Sequence, residues 1–253
     1  MHASILGSGG RAPSGVRETA CVLVREQDRA LLLDVGTGAR RLITESAYLE
    51  GVSDLDVVLT HFHLDHVCGL TYLPMLGISA TIWAPGAWLY GTESAALLEP
   101  LRRPPLAPSD VTDIYPVNEL RTGQQLIGDF VVRTSAQPRH WAPTAGLRIG
   151  NELALITDTP YEPTSTELAE GVTHLLHEAW SSSCEPHYPD RDATAADAGR
   201  VARDAGVGQL TLIHLDPQLL DLSVLLEDAA TAFDRVSLGA DEMVLSGSEP
   251  SAD

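Results

Sequence analysis

Apolar positions along the chain fall in short runs closed by glycine, proline or charged residues, the pattern of strands buried on both faces. One such run, Ala3–Gly10, predicts a strand that enters a glycine-rich turn. Thr19–Arg25 and Ala30–Val35 predict two more, joined as a hairpin by the polar turn Glu26–Arg29. Further strands are predicted at Asp56–Thr60, Ala80–Ala84, Gln125–Ile127, Phe130–Arg133, Gly146–Ile149, Leu153–Thr157, His174–His177 and Gln209–Ile213. Helices are predicted over Arg40–Leu49, Gly69–Leu76, Ala87–Leu98, Thr194–Ala205 and Ser223–Phe233, with Pro100–Pro108 as a loop. A strand meander followed by strand–helix units recurs in both halves. That predicts sheet layers flanked by helices, an α/β or α+β class. No long linker divides the chain, so residues 1–245 are expected to form one domain and the polar 246–253 a frayed tail.

Composition narrows the class. The 253 residues are 44% hydrophobic and 20% charged, ordinary for a soluble globular protein. No apolar run reaches the roughly 18 residues of a membrane span, and the first residues lack the pattern of a secretion signal. Cys21, Cys68 and Cys184 are too scattered for a disulfide framework or a CxxC zinc knuckle, so a reducing cytosol is the expected setting. Aspartate and glutamate number 35 against 16 basic residues, a net charge of −19. Phosphate neutralisation supplies much of the affinity for nucleic acid, so this balance argues against such a partner. Every basic residue is arginine. Without lysine there is no Schiff-base chemistry and no P-loop. The glycine-rich turn also lacks the helix that a dinucleotide fingerprint opens, because Arg11-Ala-Pro13 follows it.

Three histidines crowd into His61-Phe-His63-Leu-Asp65-His66, at the mouth of the Asp56–Thr60 strand. Imidazole and carboxylate are ligands that a hydrolytic zinc ion prefers. On a loop leaving the strand, His61 and His63 can converge on one ion while Asp65 and His66 turn toward a second. Asp158 and His214 each close an apolar strand, where sites are usually displayed, and His140 is a further candidate.

HFHLDH resembles the signature of the metallo-β-lactamase superfamily, and the other motifs resemble its ribonuclease Z-like branch. ILGSGG with Arg17, then LLLDVGTG, are similar to that branch's first strand and its Asp-x-Gly motif. His140 with Gly146–Ile149, then LITDT, the His-Glu-Ala within Leu175–Ala179, and AGVGQLTLIHLDP follow in the family's order. The resemblance implies a four-layer αβ/βα sandwich with two zinc ions at one edge, manganese or iron being alternatives. Carried over residue by residue, His61, His63 and His140 would hold the first ion and Asp65, His66 and His214 the second, with Asp158 bridging. Two dications about 3.5–4 Å apart can share a water, lower its pKa and deliver hydroxide to an ester-type electrophile. Asp34 is expected to support the metal loop without touching metal.

The chain departs from the branch in two places. His140 and Asp158 are 18 positions apart, too close for the long arm that members processing transfer-RNA precursors carry there. The family also pairs the glutamate of its His-Glu-Ala motif with a histidine just before a helix start. Glu178 is present, but Asp192 stands where the histidine is expected, and His187 lies five residues earlier. Asp65, Glu178 and His187 are the candidate catalytic residues, His187 as proton donor to the leaving group. Trp141, Trp180 and Tyr188 flank these motifs, either as core packing or as the wall of an aromatic-lined pocket. The expected protein is a cytosolic dinuclear zinc hydrolase of a small ester-type substrate, a phosphodiester first. Lactone, thioester, aryl and sulfate esters follow; no membrane partner is expected, and a homodimer is a candidate assembly. Non-catalytic metal binding and transfer-RNA 3′-processing are the competing readings.

Overall fold

The computed structural model describes residues 1–184 and 191–245. The first half contains β1 (His2–Gly7), β2 (Cys21–Glu26), β3 (Arg29–Leu33), α1 (Arg41–Thr44), β4 (Asp54–Val58), α2 (Leu64–Val67), β5 (Ser79–Ala84), α3 (Ser94–Arg102) and β6 (Val117–Glu119). The second half begins with β7 (Gly123–Ile127), β8 (Phe130–Gln137), β9 (Thr144–Ile149), β10 (Leu153–Ile156), α4 (Pro163–Ala169) and β11 (His174–Glu178). It ends with α5 (Ala195–Ala205), β12 (Gln209–Ile213), α6 (Ser223–Ala230), β13 (Val236–Leu238) and β14 (Met243–Leu245).

Among the described residues these strands form two seven-stranded sheets, ordered β14-β1-β2-β3-β4-β5-β6 and β13-β12-β11-β10-β9-β8-β7. Pairing is antiparallel at one side of each sheet and parallel from β3 to β6 and from β10 to β13. Strands covered on both faces read as continuous apolar runs, and the period of two sorts their residues between cores. In β3, Ala30 and Leu32 face the first sheet's helices, whereas Leu31 and Leu33 face the second sheet. In β10 to β12, Leu155, Leu176 and Ile213 meet that central core, while Ile156, Leu175 and Leu212 pack toward α5 and α6. Three cores therefore separate four layers, the metallo-β-lactamase sandwich of helix, sheet, sheet and helix. Each fully buried Leu or Ile contributes about 1.5–3 kcal/mol, so the central core holds the two sets of parallel strand ends at one edge.

The predicted helices fare less well than the strands. Arg40–Leu49 is a chain of short turns, with 3-10 segments at Thr37–Arg40 and Ser46–Leu49 on either side of α1. Tertiary bonds override the helical pattern there. Thr19 and Thr37 exchange backbone-to-hydroxyl bonds at 2.9 and 2.8 Å, and Arg41 Nε is drawn inward to the Leu6 carbonyl at 3.0 Å. Gly69–Leu76 is a 3-10 helix over Cys68–Met75, and its internal Pro74 withdraws a backbone donor. Ala87–Leu98 divides at Gly91, whose φ of 63° ends a π-helical turn over Gly86–Tyr90 before α3 begins. β6, β13 and β14 have three residues each, too few to show a period. The tail expected at 246–253 lies outside the described residues. Among those described, no helix is long and apolar enough to cross a membrane.

The loop after β3 packs directly on the metal loop. A Cβ at Gly36 would lie 2.1 Å from the Asp65 carbonyl oxygen and 2.4 Å from Thr19 Oγ1. Gly36→Ala is expected to cost about 1–3 kcal/mol, the usual range for overpacking, and to lower the thermal midpoint by roughly 2–4 °C per kcal/mol. Gly15→Ala, which meets nothing within 4 Å, should leave the midpoint in place. Thermal denaturation decides; a Gly36→Ala protein that melts with the parent would contradict the close packing.

Candidate metal centre

Strand ends deliver the chemistry. Asp34 follows β3, the His61–His66 segment follows β4, Asp158 follows β10, Glu178 ends β11 and His214 follows β12. His140 comes from the connection between β8 and β9. Asp34, Asp158 and His214 turn off their strands with φ of 55°, 52° and 51°. Left-handed backbone costs a non-glycine residue about 1–2 kcal/mol, although aspartate and histidine visit it more readily than most. Strain of this kind collects where a site over-determines the backbone.

The Asp158 carboxylate lies at the centre of the cluster. Its Oδ1 is 3.8 Å from His61 Nε2 and 3.5 Å from His140 Nε2. Its Oδ2 is 3.1 Å from His66 Nε2 and 3.4 Å from His214 Nε2. Each oxygen thus faces a different pair of imidazoles. Asp65 Oδ2 adds to the second pair, 3.4 Å from His66 Nε2 and 3.3 Å from His214 Nε2. Donor atoms of His63, His140 and Asp158 fall within 4.8 Å of one another, and so do those of Asp65, His66 and His214. His61 forms such a group with His66 and Asp158, and its ring centre is 4.2 Å from that of His66 and 4.5 Å from that of His63.

Hydrogen-bond bookkeeping fixes three of the tautomers. Thr60 Oγ1 donates to Asp34 Oδ2 at 2.8 Å, so at 3.0 Å it accepts from His61 Nδ1–H. His66 Nδ1–H donates to Asp34 Oδ2 at 2.8 Å, and His140 Nδ1–H to the Arg191 carbonyl at 2.8 Å. All three rings consequently turn Nε2 inward, and His61 Nε2 is buried without a hydrogen-bond partner among the described residues. A neutral imidazole lone pair facing a carboxylate oxygen is repulsive unless a proton or a cation lies between them. The donor set therefore fits metal ions, and its histidine and aspartate types are those that divalent transition metals prefer.

The same crowding sets the titration of the rings. Burial, with His66 nearby, pushes His61 well down. Burial alone would also depress His214, but Asp158, Asp65 and Glu178 outweigh it and raise the group to about 10. Asp192 and Asp158 likewise overcome burial at His140 and raise it to about 9.

Around the donors sits a layer of supports. Asp34 also accepts from Thr60 N–H at 2.7 Å, so one carboxylate pins the loop backbone and the His66 ring. Glu178 is fully buried and accepts from Asp158 N–H, Thr159 N–H and Ala193 N–H, each at 3.0 Å, with His214 Nδ1 3.2 Å away. Asp192 Oδ1 is 3.4 Å from His140 Nδ1. His187 and Tyr188 lie outside the described residues. Trp180 is half-buried with its ring 5.8 Å from that of His214, and Trp141 is exposed with the Arg191 guanidinium on its face. Sequence reasoning missed Arg11, whose N–H donates to Asp65 Oδ2 at 2.7 Å, and Gly10, where a Cβ would meet the His214 ring at 2.7 Å. The glycine-rich turn is thus a close approach to the site, a role that no glycine pattern distinguishes from an ordinary tight turn.

Asp34→Asn leaves an amide that cannot accept from both Thr60 and His66 in the same way. Loss of such an outer support costs metal affinity about 10–100-fold. Competition with a chromophoric chelator should show a loss in that range; unchanged affinity would mean that the loop is held without Asp34.

Known proteins agree with this architecture. Ribonuclease Z of Methanopyrus kandleri is 29% identical over 286 aligned residues, covering 95% of this chain and 95% of that protein. The metallo-beta-lactamase fold protein YhfI of Bacillus subtilis superposes with a TM-score of 0.80 at 20% identity, over 96% of this chain and 98% of its own. The short form of human tRNase Z does so with a TM-score of 0.69 at 20% identity, over 97% and 99%. The family model for the metallo-beta-lactamase superfamily matches residues 14–143, which include the strand-end loop with its three histidines. With more than half of its length matched and its strand ends converging on histidines and aspartates, the chain belongs to the metallo-beta-lactamase superfamily, as a ribonuclease Z-like, metal-dependent hydrolase.

Proposed function

We propose that this hydrolase is a dinuclear zinc phosphodiesterase acting on a short RNA or nucleotide phosphodiester, the ribonuclease Z similarity weighing against the expectation from net charge that nucleic acid is no partner. The observation that carries the two-ion reading is the division of Asp158, one oxygen toward His61 and His140 and the other toward His66 and His214. The ribonuclease Z relative, similar across nearly the whole of both chains, supports a phosphodiester over the other esters. In this reading His61, His63 and His140 would hold one ion and Asp65, His66 and His214 the other, with the Asp158 carboxylate lying between the two groups. Two divalent cations there would supply a nucleophile from water near neutral pH and offset charge on the phosphoryl oxygens.

The chain's own residues do the positioning. Asp34 sets the His66 ring, and Arg11 N–H holds Asp65. Glu178, expected among the catalytic residues, has its oxygens taken by three backbone donors, so the role we assign it is to shape the Asp158 turn. Asp192 sits against His140, and the proton donor to the leaving group is proposed, from the sequence alone, to be His187. β14 returns to pair with β1, which supports reading residues 1–245 as one domain.

A second reading, transfer-RNA 3′-processing, is favoured by the ribonuclease Z similarity. Against it stands the interval from His140 to Asp158, which β9 and β10 occupy without an arm. The 286-residue alignment is also longer than this 253-residue chain, so that relative has segments with no counterpart here. Short or flexible phosphodiesters therefore rank first.

The test offers zinc-loaded protein bis(4-nitrophenyl) phosphate, short single-stranded RNA, a transfer-RNA precursor, a lactone and a thioester. Phosphodiesters should be hydrolysed, short RNA faster than the precursor, with activity lost on chelation and restored by zinc. Turnover of lactone or thioester but of no phosphodiester would overturn the proposal. A precursor cleaved faster than short RNA would establish the second reading instead.

A further inference from the structure

Two large apolar side chains stand in solvent on the segments that carry the histidines. Leu64, between His63 and Asp65, is 67% exposed, and Trp141, next to His140, is 69% exposed. An indole left in water forgoes the stabilisation that burial of its large apolar surface would bring. Trp141 is nonetheless held in place. The guanidinium carbon of Arg191 lies 3.4 Å from the centre of its ring, a close cation–π contact. Arg191 is itself tied to the histidine segment, because its carbonyl accepts from His140 Nδ1–H at 2.8 Å. One face of the indole is thus covered by a cation, and exposure of this extent leaves the opposite face open.

We propose that Trp141, braced by Arg191, is a stacking platform that selects substrates bearing a nucleobase beside the scissile phosphate. The proposal rests on the phosphodiester reading above and adds to it the residue that sets preference. Bases stack on aromatic side chains whatever their identity, since each has a π-face. A ring already fixed by a partner loses little further freedom on binding. Trp141 directly follows His140, whose Nε2 is 3.5 Å from Asp158 Oδ1, so the indole is carried by a segment that also supplies a donor.

The test compares thymidine 5′-(4-nitrophenyl phosphate) with methyl 4-nitrophenyl phosphate, which share a leaving group and differ in the nucleoside. Wild-type kcat/KM should favour the nucleoside ester about tenfold or more, the usual range for one stacked base, and the preference should reside in KM. Trp141→Ala should bring the ratio near one, and Trp141→Phe should keep most of it. A wild-type ratio near one, or a ratio unchanged in Trp141→Ala, would overturn the platform. Calorimetric binding of adenosine 5′-monophosphate against methyl phosphate decides the same point without turnover. If neither ester is hydrolysed, the phosphodiesterase reading fails, while the binding preference and its loss in Trp141→Ala still judge the platform.

Discussion

A carboxylate taken out of water must be neutralised, and Asp158 is buried with imidazoles on both of its oxygens. That requirement organises the rest. Imidazoles can meet a carboxylate productively only through protons or cations, so the rings have to be turned to a common side. Thr60, Asp34 and the Arg191 carbonyl turn them by taking Nδ1–H from His61, His66 and His140. The supports are as much part of the centre as the donors.

The sandwich supplies the geometry that such a cluster needs. Parallel strands from both sheets end at one edge, and the shared central core fixes those ends relative to one another. The chain leaves β3, β10 and β12 through left-handed residues, Asp34, Asp158 and His214, which swing side chains into the cluster within one or two residues of the strand. Glu178 offsets part of that strain, because its carboxylate collects the backbone N–H groups of Asp158, Thr159 and Ala193. One buried side chain thereby joins the turn after β10, the end of β11 and the approach to α5.

Much of this was legible in the residues. Strands whose both faces are apolar announce themselves as runs, as at Ala30–Leu33 and Leu153–Ile156, and the hexapeptide after β4 concentrates three imidazoles and an acid. Asp158 and His214 each close such a run, and the structure brings both into one cluster. The short helices were not legible, since Thr37, Arg41 and Pro74 answer to tertiary bonds or to a missing donor rather than to a local period. Asp241 shows the limit most clearly. It accepts from Ser8 N–H, Ser8 Oγ–H and Glu18 N–H and pairs with Arg41, and so secures the loop beside the site from more than two hundred residues away. No spacing in the sequence could reveal a contact of that range. Trp141 reads from the sequence only as core or pocket wall, and the structure excludes the core, because the ring is exposed with Arg191 on its face.

The acidic chain carries its cationic groups sparingly, and Arg11, Arg139 and Arg191 all lie in segments next to donors. Arg139 is committed to Glu162 at 2.6 Å, whereas the Arg11 side chain is exposed and only its backbone is engaged at Asp65. The central proposal, that Asp158 would be shared by two cations, is tested most directly by anomalous diffraction from zinc-soaked crystals. The account predicts two peaks about 3.5–4 Å apart, one on each side of the Asp158 carboxylate and each contacted by a different oxygen. A single peak, or two peaks of which only one touches Asp158, would contradict it.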